Sequence, residues 1–534
     1  MAFANFFDRT ATAASQVLMN FNLEAYKATL SGHVIGLAFD EAAAASPEGR
    51  ATLDLCVRVL ARLYPTISIA CAGGEAEKYR KELERLARKI NDRIDVERDI
   101  TRSSVAIVVG STDTAGAMTK IFAGSDGWRA LISADGPLGS GATTNPFGAG
   151  AAACFATANV FRFVFAGQLT RGELDQRIDV SLFDYGQAGA QNPPLPAEID
   201  LGDAYLVGLG AIGHGAMWAL SRVPGLTGAL HAVDHDTVDL SNLQRYVMAV
   251  QKDVGQPKSR LAQRILKRKG LSVAGQPMPW SDYVGSRQKR YFERVAVALD
   301  NGPDRIGVQA SLPRWIVNAW TQQLDLGISR HGFDDGKACL ACLYMPTGTI
   351  KSEDEKVAEE LRLPEAKMEV RALLQNSAGV SDNFVQRVAT AFNVPYADLS
   401  SFVGQPLRTF YQKAICGGFM IGLTGAGNAG AAIVPMAFQS ALAGLGLAAD
   451  LVKHAEGLPV PSATSTRINL MRPLAAILAD PHAQDTSGRC ICRDQDFLEA
   501  YRKKYRLDAT MRQKKLARST EIDCLEAIRD ERWT

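Results

Sequence analysis

Apolar residues recur along this chain in short, continuous runs divided by small, polar or charged stretches. That is the pattern of strands buried on both faces. Before residue 190 the runs at Thr66-Ile67-Ser68-Ile69-Ala70 and Val105-Ala106-Ile107-Val108-Val109 read as strands, and the charged stretch 75–91 between them reads as a helix. Beyond residue 200, Ala204-Tyr205-Leu206-Val207, Ala229-Leu230-His231-Ala232-Val233 and Val295-Ala296-Val297-Ala298-Leu299 read as strands, with a helix predicted over 215–223. Alternating strands and helices predict an α/β fold with parallel sheets. The segment 353–394, dominated by Glu, Lys, Leu and Ala, is predicted mostly helical. The longest apolar stretch, 429–452, holds Pro435, Gln439, Ser440 and Asp450, so it reads as a buried helix rather than a membrane span.

The two halves echo each other. The strand at Val105 is followed by Ser111-Thr112-Asp113, as the strand at Val295 is followed by Asp300-Asn301. Asn145-Pro146-Phe147 leads into a small-residue helix, as Val434-Pro435-Met436 does later. Residues 187–200, with Pro193-Pro194-Leu195-Pro196, mark the join. A duplicated α/β unit is expected; the alternative is an unrelated α/β domain.

Composition bounds the class. At 534 residues the chain exceeds one ordinary core, so two or three domains are expected. Its hydrophobic content of 47%, charged content of 22% and net charge of +2 describe a soluble protein with no electrostatic call for nucleic acid or membrane. The amino terminus lacks the basic and apolar regions of a secretory signal, and nine cysteines then point to free thiols or metal in a cytoplasmic protein. Residues 501–518 carry eight Lys or Arg against one Asp and read as the start of a solvated basic tail, 501–534.

The candidate chemistry lies between residues 206 and 258. Gly208, Gly210 and Gly213 form a G-x-G-x-x-G loop after a strand and before a helix, and Asp234 follows 21 residues after the last glycine at the end of the next strand. This is the order of a nucleotide-binding crossover: glycines admit phosphate, the helix amino end supplies N–H groups, and the acid accepts ribose hydroxyls. Alone it fits NAD, FAD and methyl-donor enzymes equally. The run Asp234-His235-Asp236-Thr237-Val238-Asp239-Leu240-Ser241-Asn242-Leu243-Gln244-Arg245, then Gly255-Gln256-Pro257-Lys258 and Asp300-Asn301, adds what a hydride-transfer enzyme has no use for. An arginine and a lysine neutralise phosphates, and an aspartate can hold Mg²⁺ against them, so ATP is the expected nucleotide.

These residues resemble the ThiF/MoeB-type family of ubiquitin-activating enzymes and bacterial sulfur-carrier relatives, over 201–493. The resemblance implies two Rossmann-like adenylation-type domains, the first (1–190) degenerate because it lacks the glycine loop and the Asn, Arg and Lys. A linker follows at 191–200. The active domain would run through 201–342 and 434–500, interrupted by a helical catalytic-cysteine insertion at 343–433. It further implies that Asp234 binds ribose, that Asn242, Arg245 and Lys258 contact phosphates, and that Asp300 holds Mg²⁺, with Asp236 and Asn301 also among the nucleotide-binding residues. Tyr246, His214 and Leu299 stand where the family often has Gln, Ser and Thr. Arg9 has two readings: an arginine donated across the halves to ATP, as the resemblance implies, or an exposed surface charge.

The implied reaction is adenylation of the C-terminal glycine of a ubiquitin-like protein, then thioester formation and transfer to a conjugating-type enzyme. The setting most resembled is a bacterial (Bil-type antiphage) conjugation operon. Cys416, in Ile415-Cys416-Gly417-Gly418 at the end of the insertion, is the candidate nucleophile, its alternative a buried structural thiol. Cys339, Cys342, Cys490 and Cys492 are two close pairs that can supply tetrahedral Zn²⁺; the alternative is reduced structural cysteines. A sulfur-carrier adenylyltransferase and a non-catalytic binder of a ubiquitin-like tail are the other functional readings. The fused halves imply a pseudo-dimer within one chain.

Overall fold

The computed structural model describes residues 3–113, 119–186, 192–345, 352–376, 378–411 and 433–505. In the first half, strands β1 (Ile35–Phe39), β2 (Thr66–Cys71), β3 (Asp95–Glu97), β4 (Val105–Val109), β5 (Thr119–Asp126), β6 (Arg129–Ser133) and β7 (Arg177–Ser181) form one sheet in the order β3-β2-β1-β4-β5-β6-β7. The first five in that order pair in parallel, and β6 and β7 run antiparallel. The second sheet contains β8 (Ile199–Val207), β9 (Leu226–Val233), β10 (Leu271–Gln276), β11 (Arg294–Val297), β12 (Trp315–Thr321), β13 (Asp325–His331), β14 (Ser465–Asn469) and β15 (Leu478–Asp480). Its order, β10-β9-β8-β11-β12-β13-β14-β15, repeats the first with one further strand, and the switch from parallel to antiparallel falls at the same place. Two Rossmann-like domains of one plan therefore make up the molecule. Every residue of β1 and β4 is buried, which is why these strands read as unbroken apolar runs rather than as alternation.

The first half also contains helices α1 (Phe7–Ser15), α2 (Leu23–Ser31), α3 (Glu41–Ala45), α4 (Pro47–Leu63), α5 (Gly74–Ile90) and α6 (Pro146–Val164). The second contains α7 (Ala211–Leu220), α8 (Lys258–Leu266), α9 (Trp280–Ser286), α10 (Gly302–Ala310) and the long Ala437–Ala455 helix. Asn145 caps α6 by accepting from Phe147 N at 3.0 Å, and Pro146 opens its first turn. By length and composition α6 passes for a membrane span, but 94% of its apolar window is buried inside the protein. The Ala437–Ala455 helix is buried in the same way, as expected for the apolar stretch ending at Val452.

These core helices join the halves. A Cβ on Gly150 of α6 would lie 2.7 Å from Trp218 of α7 and 2.8 Å from Leu445. One on Gly444 would lie 2.2 Å from the carbonyl of Ile212. Small residues thus let three helices approach closely, and one apolar core runs through both sheets. The insertion keeps a core of its own. Its helices Glu353–Glu360, Lys367–Asn376 and Asp382–Phe392 pack around Val357, Leu361, Val370, Phe384 and Val388.

Three expectations need correction. β8 starts at Ile199, so the last two residues of the predicted linker are strand. The helix predicted over 215–223 is α7, which begins within the glycine loop itself and ends three residues earlier, ahead of Pro224. The basic tail is not solvated throughout: a helix at 495–505 docks on the second domain. Tyr505 Oη donates to Leu312 O at 2.8 Å, Lys504 Nζ to Ser311 O and Leu312 O at 3.0 and 2.9 Å, and Arg502 pairs with Asp334 at 2.7 Å. Aromatic residues spaced among the charges, Tyr501 and Tyr505, supply the buried face that net charge conceals.

Candidate adenylation site

The site lies at the carboxyl ends of β8, β9 and β11, where an open α/β sheet holds its ligands. Gly208 follows β8 with φ of +89°, and a Cβ there would fall 2.6 Å from Ala298 O, so the loop can cross the end of β11 only as glycine. A Cβ on Gly213 would fall 2.5 Å from Gly208 O. Gly210 precedes α7, whose amino end opens toward the loop.

Asp234 ends β9. Its Oδ2 accepts from Leu209 N at 2.7 Å and its Oδ1 from Asp236 N at 2.9 Å, so it shapes the glycine loop as well as standing beside it. Lys258, the first residue of α8, is 7% exposed and donates from Nζ to Asp236 Oδ2 at 2.7 Å, with Asp234 Oδ1 at 3.9 Å. Burial opposes its charge, but Tyr246, Asp234 and Asp236 outweigh burial and hold its pKa above the ordinary lysine value. Arg245 is pulled the other way by burial, against the nearby Tyr246, Asp300 and Asp239. Its Nη1 is buried and has no hydrogen-bond partner among the described residues.

Asn242 sits in a 3-10 turn, Leu240–Gln244, with its Oδ1 accepting from Asp239 N at 3.0 Å in a reciprocal capping arrangement. Asp300 lies exposed past the end of β11. Asn301 caps α10 by accepting from Asp304 N at 2.8 Å, and its amide donates to Asp304 Oδ2 at 2.7 Å and Asp300 Oδ1 at 3.3 Å. Beneath them the buried Arg305 donates to Leu299 O and Ala319 O, which fixes the peptide just before Asp300. Arg9 is half-buried on α1, and α1 packs on the turn that carries Asn242. Phe6, just before α1, shares a cluster with Val238, Leu243, Tyr246 and Leu261. Cys416 falls in 412–432, outside the described residues.

Tyr246 and His214, two of the three departures from the family pattern, touch. Their rings are 4.5 Å apart. His214 is fully buried, and burial with Arg62 and Lys258 nearby drives its pKa well down, so it is neutral. Its Nδ1 accepts from Met248 N at 3.2 Å. The Tyr246 ring centroid is 5.6 Å from both Arg245 Cζ and Lys258 Nζ, between the two cations. No local sequence pattern announces this contact, because the partners come from different elements.

In the first half the matching crevice is filled. Asp40, after β1, accepts from Ala43 N at 2.9 Å, Ser111 N at 2.7 Å, and Thr112 N and Oγ1 at 3.0 Å. Burial opposes its charge, but these bonds keep its pKa below the usual carboxylate value. A fixed anion on the loop amides repels phosphate and takes the donors that phosphate needs.

The four cysteines expected to bind metal converge. Their sulfurs lie 3.5 Å apart for Cys339–Cys490, Cys342–Cys490 and Cys342–Cys492, 3.6 Å for Cys490–Cys492 and 3.7 Å for Cys339–Cys342. Four thiolates about 2.3 Å from one Zn²⁺ stand about 3.8 Å apart, so the set fits a tetrahedral ion. Asp485 N donates to Cys342 Sγ at 3.3 Å.

A glycine loop, an acid tied to it, a buried lysine, a half-buried arginine and an exposed aspartate on a duplicated Rossmann-like fold fit an ATP-dependent adenylating enzyme of the E1/MoeB type. The ThiF family matches residues 199–325, and the family described as Prokaryotic E2 family C matches residues 38–166. The uncharacterized protein y4jF of Sinorhizobium fredii is 54% identical over 95% of this chain and 98% of its own length. Ubiquitin-activating enzyme E1 1 of Schizosaccharomyces pombe is 31% identical over 115 residues, which span 20% of this chain and 11% of that protein. A crystal structure of E. coli MccB with MccA-N7isoASN is similar at a TM-score of 0.34 and 14% identity, over 54% of this chain and 66% of that one. The chain belongs, with y4jF, to the bacterial ThiF/MoeB-type family of activating enzymes.

Proposed function

We propose that the chain activates the C-terminal glycine of a ubiquitin-like protein. The observation that carries this reading is the gathering of the half-buried Arg245 and the buried Lys258 beside a glycine loop to which Asp234 is hydrogen-bonded. A carboxylate oxygen of the glycine attacks the α-phosphorus of Mg-ATP and pyrophosphate leaves. Arg245 and Lys258 offset the charge that develops on the phosphates, with Asn242 beside them, and Asp300 holds the Mg²⁺ that arrives with ATP. Arg9, whose helix packs on the Asn242 turn, adds a third cation in this reading. The Cys416 thiolate then attacks the acyl carbon and AMP leaves, giving a thioester for a conjugating-type enzyme. Zn²⁺ on Cys339, Cys342, Cys490 and Cys492 would be structural, since protein ligands fill all four positions. A bacterial antiphage conjugation system is the setting we propose, in keeping with the bacterial relative.

The first half we take as a degenerate adenylation domain over 1–190, despite its match to an E2 family. Its strand order supports this, and so do its thiols. Cys56 and Cys154 are fully buried with pKa values pushed up by burial, and Cys71 is raised by burial and by its bond to Glu77. A thioester nucleophile needs an accessible thiolate, so the conjugating step falls to a separate partner.

The test is a thioester assay: the purified chain, Mg-ATP and a ubiquitin-like protein ending in glycine, run on a non-reducing gel. A thiol-sensitive adduct absent from Cys416→Ala is expected. Pyrophosphate exchange without any adduct would overturn the thioester step and favour a sulfur-carrier adenylyltransferase. Absence of both signals would overturn activation of that protein.

A further inference from the structure

The segment 245–249, which carries Arg245, is held by the other half of the chain. Arg62 of α4 is 2% exposed and donates from Nη2 to Tyr246 O and Ala249 O, both at 2.7 Å. Arg58, one turn earlier on α4, donates from Nη1 to Val247 O at 3.0 Å. Arg58 is itself fixed by Asp54 Oδ1 at 2.7 Å, and that oxygen also accepts from Trp218 Nε1 at 2.8 Å and Arg222 Nη2 at 2.6 Å in the second half. On the opposite side His214 of α7 receives Met248 N. Three of the four carbonyls that follow Arg245 therefore face guanidinium groups of the first half.

Simple docking of two halves does not require this. Apolar packing already joins α4, α6, α7 and the Ala437–Ala455 helix in one core. A buried guanidinium is costly, and Arg62 Nε finds no partner among the described residues, so its carbonyl bonds are what offsets burial. Charge-assisted bonds to backbone carbonyls have direction: they specify which way each peptide of the segment faces. That orientation leaves Arg245 on the side of the segment where it senses Asp300 and the Tyr246 ring.

We infer that Arg62 and Arg58 are positioning residues of the nucleotide site, and that the inactive half works by fixing the 245–249 backbone so that Arg245 meets the ATP phosphates. This rests on the reading of 208–258 as the ATP site. The effect acts through Arg245 and so on phosphate; the adenosine end, beside Asp234, is untouched. The experiment titrates Mg-ATP and, separately, adenosine into the full chain by calorimetry, for the wild type, Arg58→Ala, Arg58→Lys, Arg62→Gln and Arg50→Ala. Arg50 lies on the same helix but pairs with Glu82, away from the segment. Arg58→Ala and Arg62→Gln are expected to weaken Mg-ATP about tenfold or more, the scale of a lost charge-assisted bond, with adenosine unchanged. Arg58→Lys recovers part of the loss, and Arg50→Ala matches the wild type. Should Arg62→Gln fail to fold, Arg58, which is half-buried rather than fully enclosed, carries the test. Equal losses for ATP and adenosine, equal losses in Arg50→Ala, or unchanged ATP affinity in Arg58→Ala overturns the inference while the site stands. A wild type that binds no Mg-ATP overturns the nucleotide reading itself, and this inference with it.

Discussion

Lys258 keeps its charge in a nearly closed crevice because Asp236 and Asp234 stand beside it, and both acids are tied to the loops that a nucleotide would touch. Asp300 differs. It is exposed and accepts a 3.3 Å bond from Asn301, so it supports little of the fold. Asp300→Ala is therefore expected to lower ATP–pyrophosphate exchange by about a hundredfold or more, as loss of a metal-positioning group at a transferring phosphate does, with an unchanged melting temperature. Exchange near the wild-type rate would remove Asp300 from the metal. Asp234, Lys258 and Asp300 were legible in the sequence because a glycine loop and two strand ends place them by short-range rules. Tyr246 against His214, and Arg62 against the carbonyls of Tyr246 and Ala249, were not. Those contacts join residues 32 and about 185 positions apart, and no periodicity encodes them.

At the scale of elements, the cysteine cluster does for the carboxyl-terminal region what an apolar core does elsewhere. It ties the turn after β13 to the segment at 490–492, and Phe497, Leu498 and Tyr501 of the last helix pack on it. The C-x-x-C and C-x-C spacings were readable as metal-ligand pairs; the aromatic face that docks 495–505 was hidden among lysines and arginines. Metal binding to such a set is coupled to folding. Cys339→Ser, or a strong chelator, is expected to release about one zinc per chain and to lower the melting temperature, the last helix loosening first in hydrogen exchange. Metal analysis of the purified protein that finds no zinc ends the assignment. The strand β1 shows a different limit. Ile35–Phe39 is the first domain's central strand, yet its five residues stand alone without a glycine loop after them, and Asp40 takes the place where phosphate would sit.

Across the whole molecule the two halves meet at Asp54, which accepts from Arg58 on its own helix and from Trp218 and Arg222 of the other domain. Burial alone would raise its pKa. Arg222 and Arg58 outweigh burial and hold it at about 2, below the ordinary 3.8. A carboxylate with a depressed folded pKa contributes stability that is complete above its unfolded value and is lost as pH falls through the folded one. The junction should therefore hold at full strength above about pH 4 and weaken between about pH 4 and pH 2, by about 2 kcal/mol from this group. Asp54→Asn removes the titration. At pH 7 it should be less stable than the wild type by about that amount, since the half-buried Arg58 and Arg222 lose their counter-charge. The difference should shrink as pH falls below about 4, where the wild-type carboxylate is protonated too. Urea unfolding of both proteins from pH 3 to pH 7 measures this. Curves that stay parallel over the whole range would show that Asp54 is not linked to folding. Because Asp54 also fixes Arg58, the same acid range should loosen the 245–249 segment, so a fall in Mg-ATP affinity that precedes global unfolding would tie the junction's charge to the site it supports.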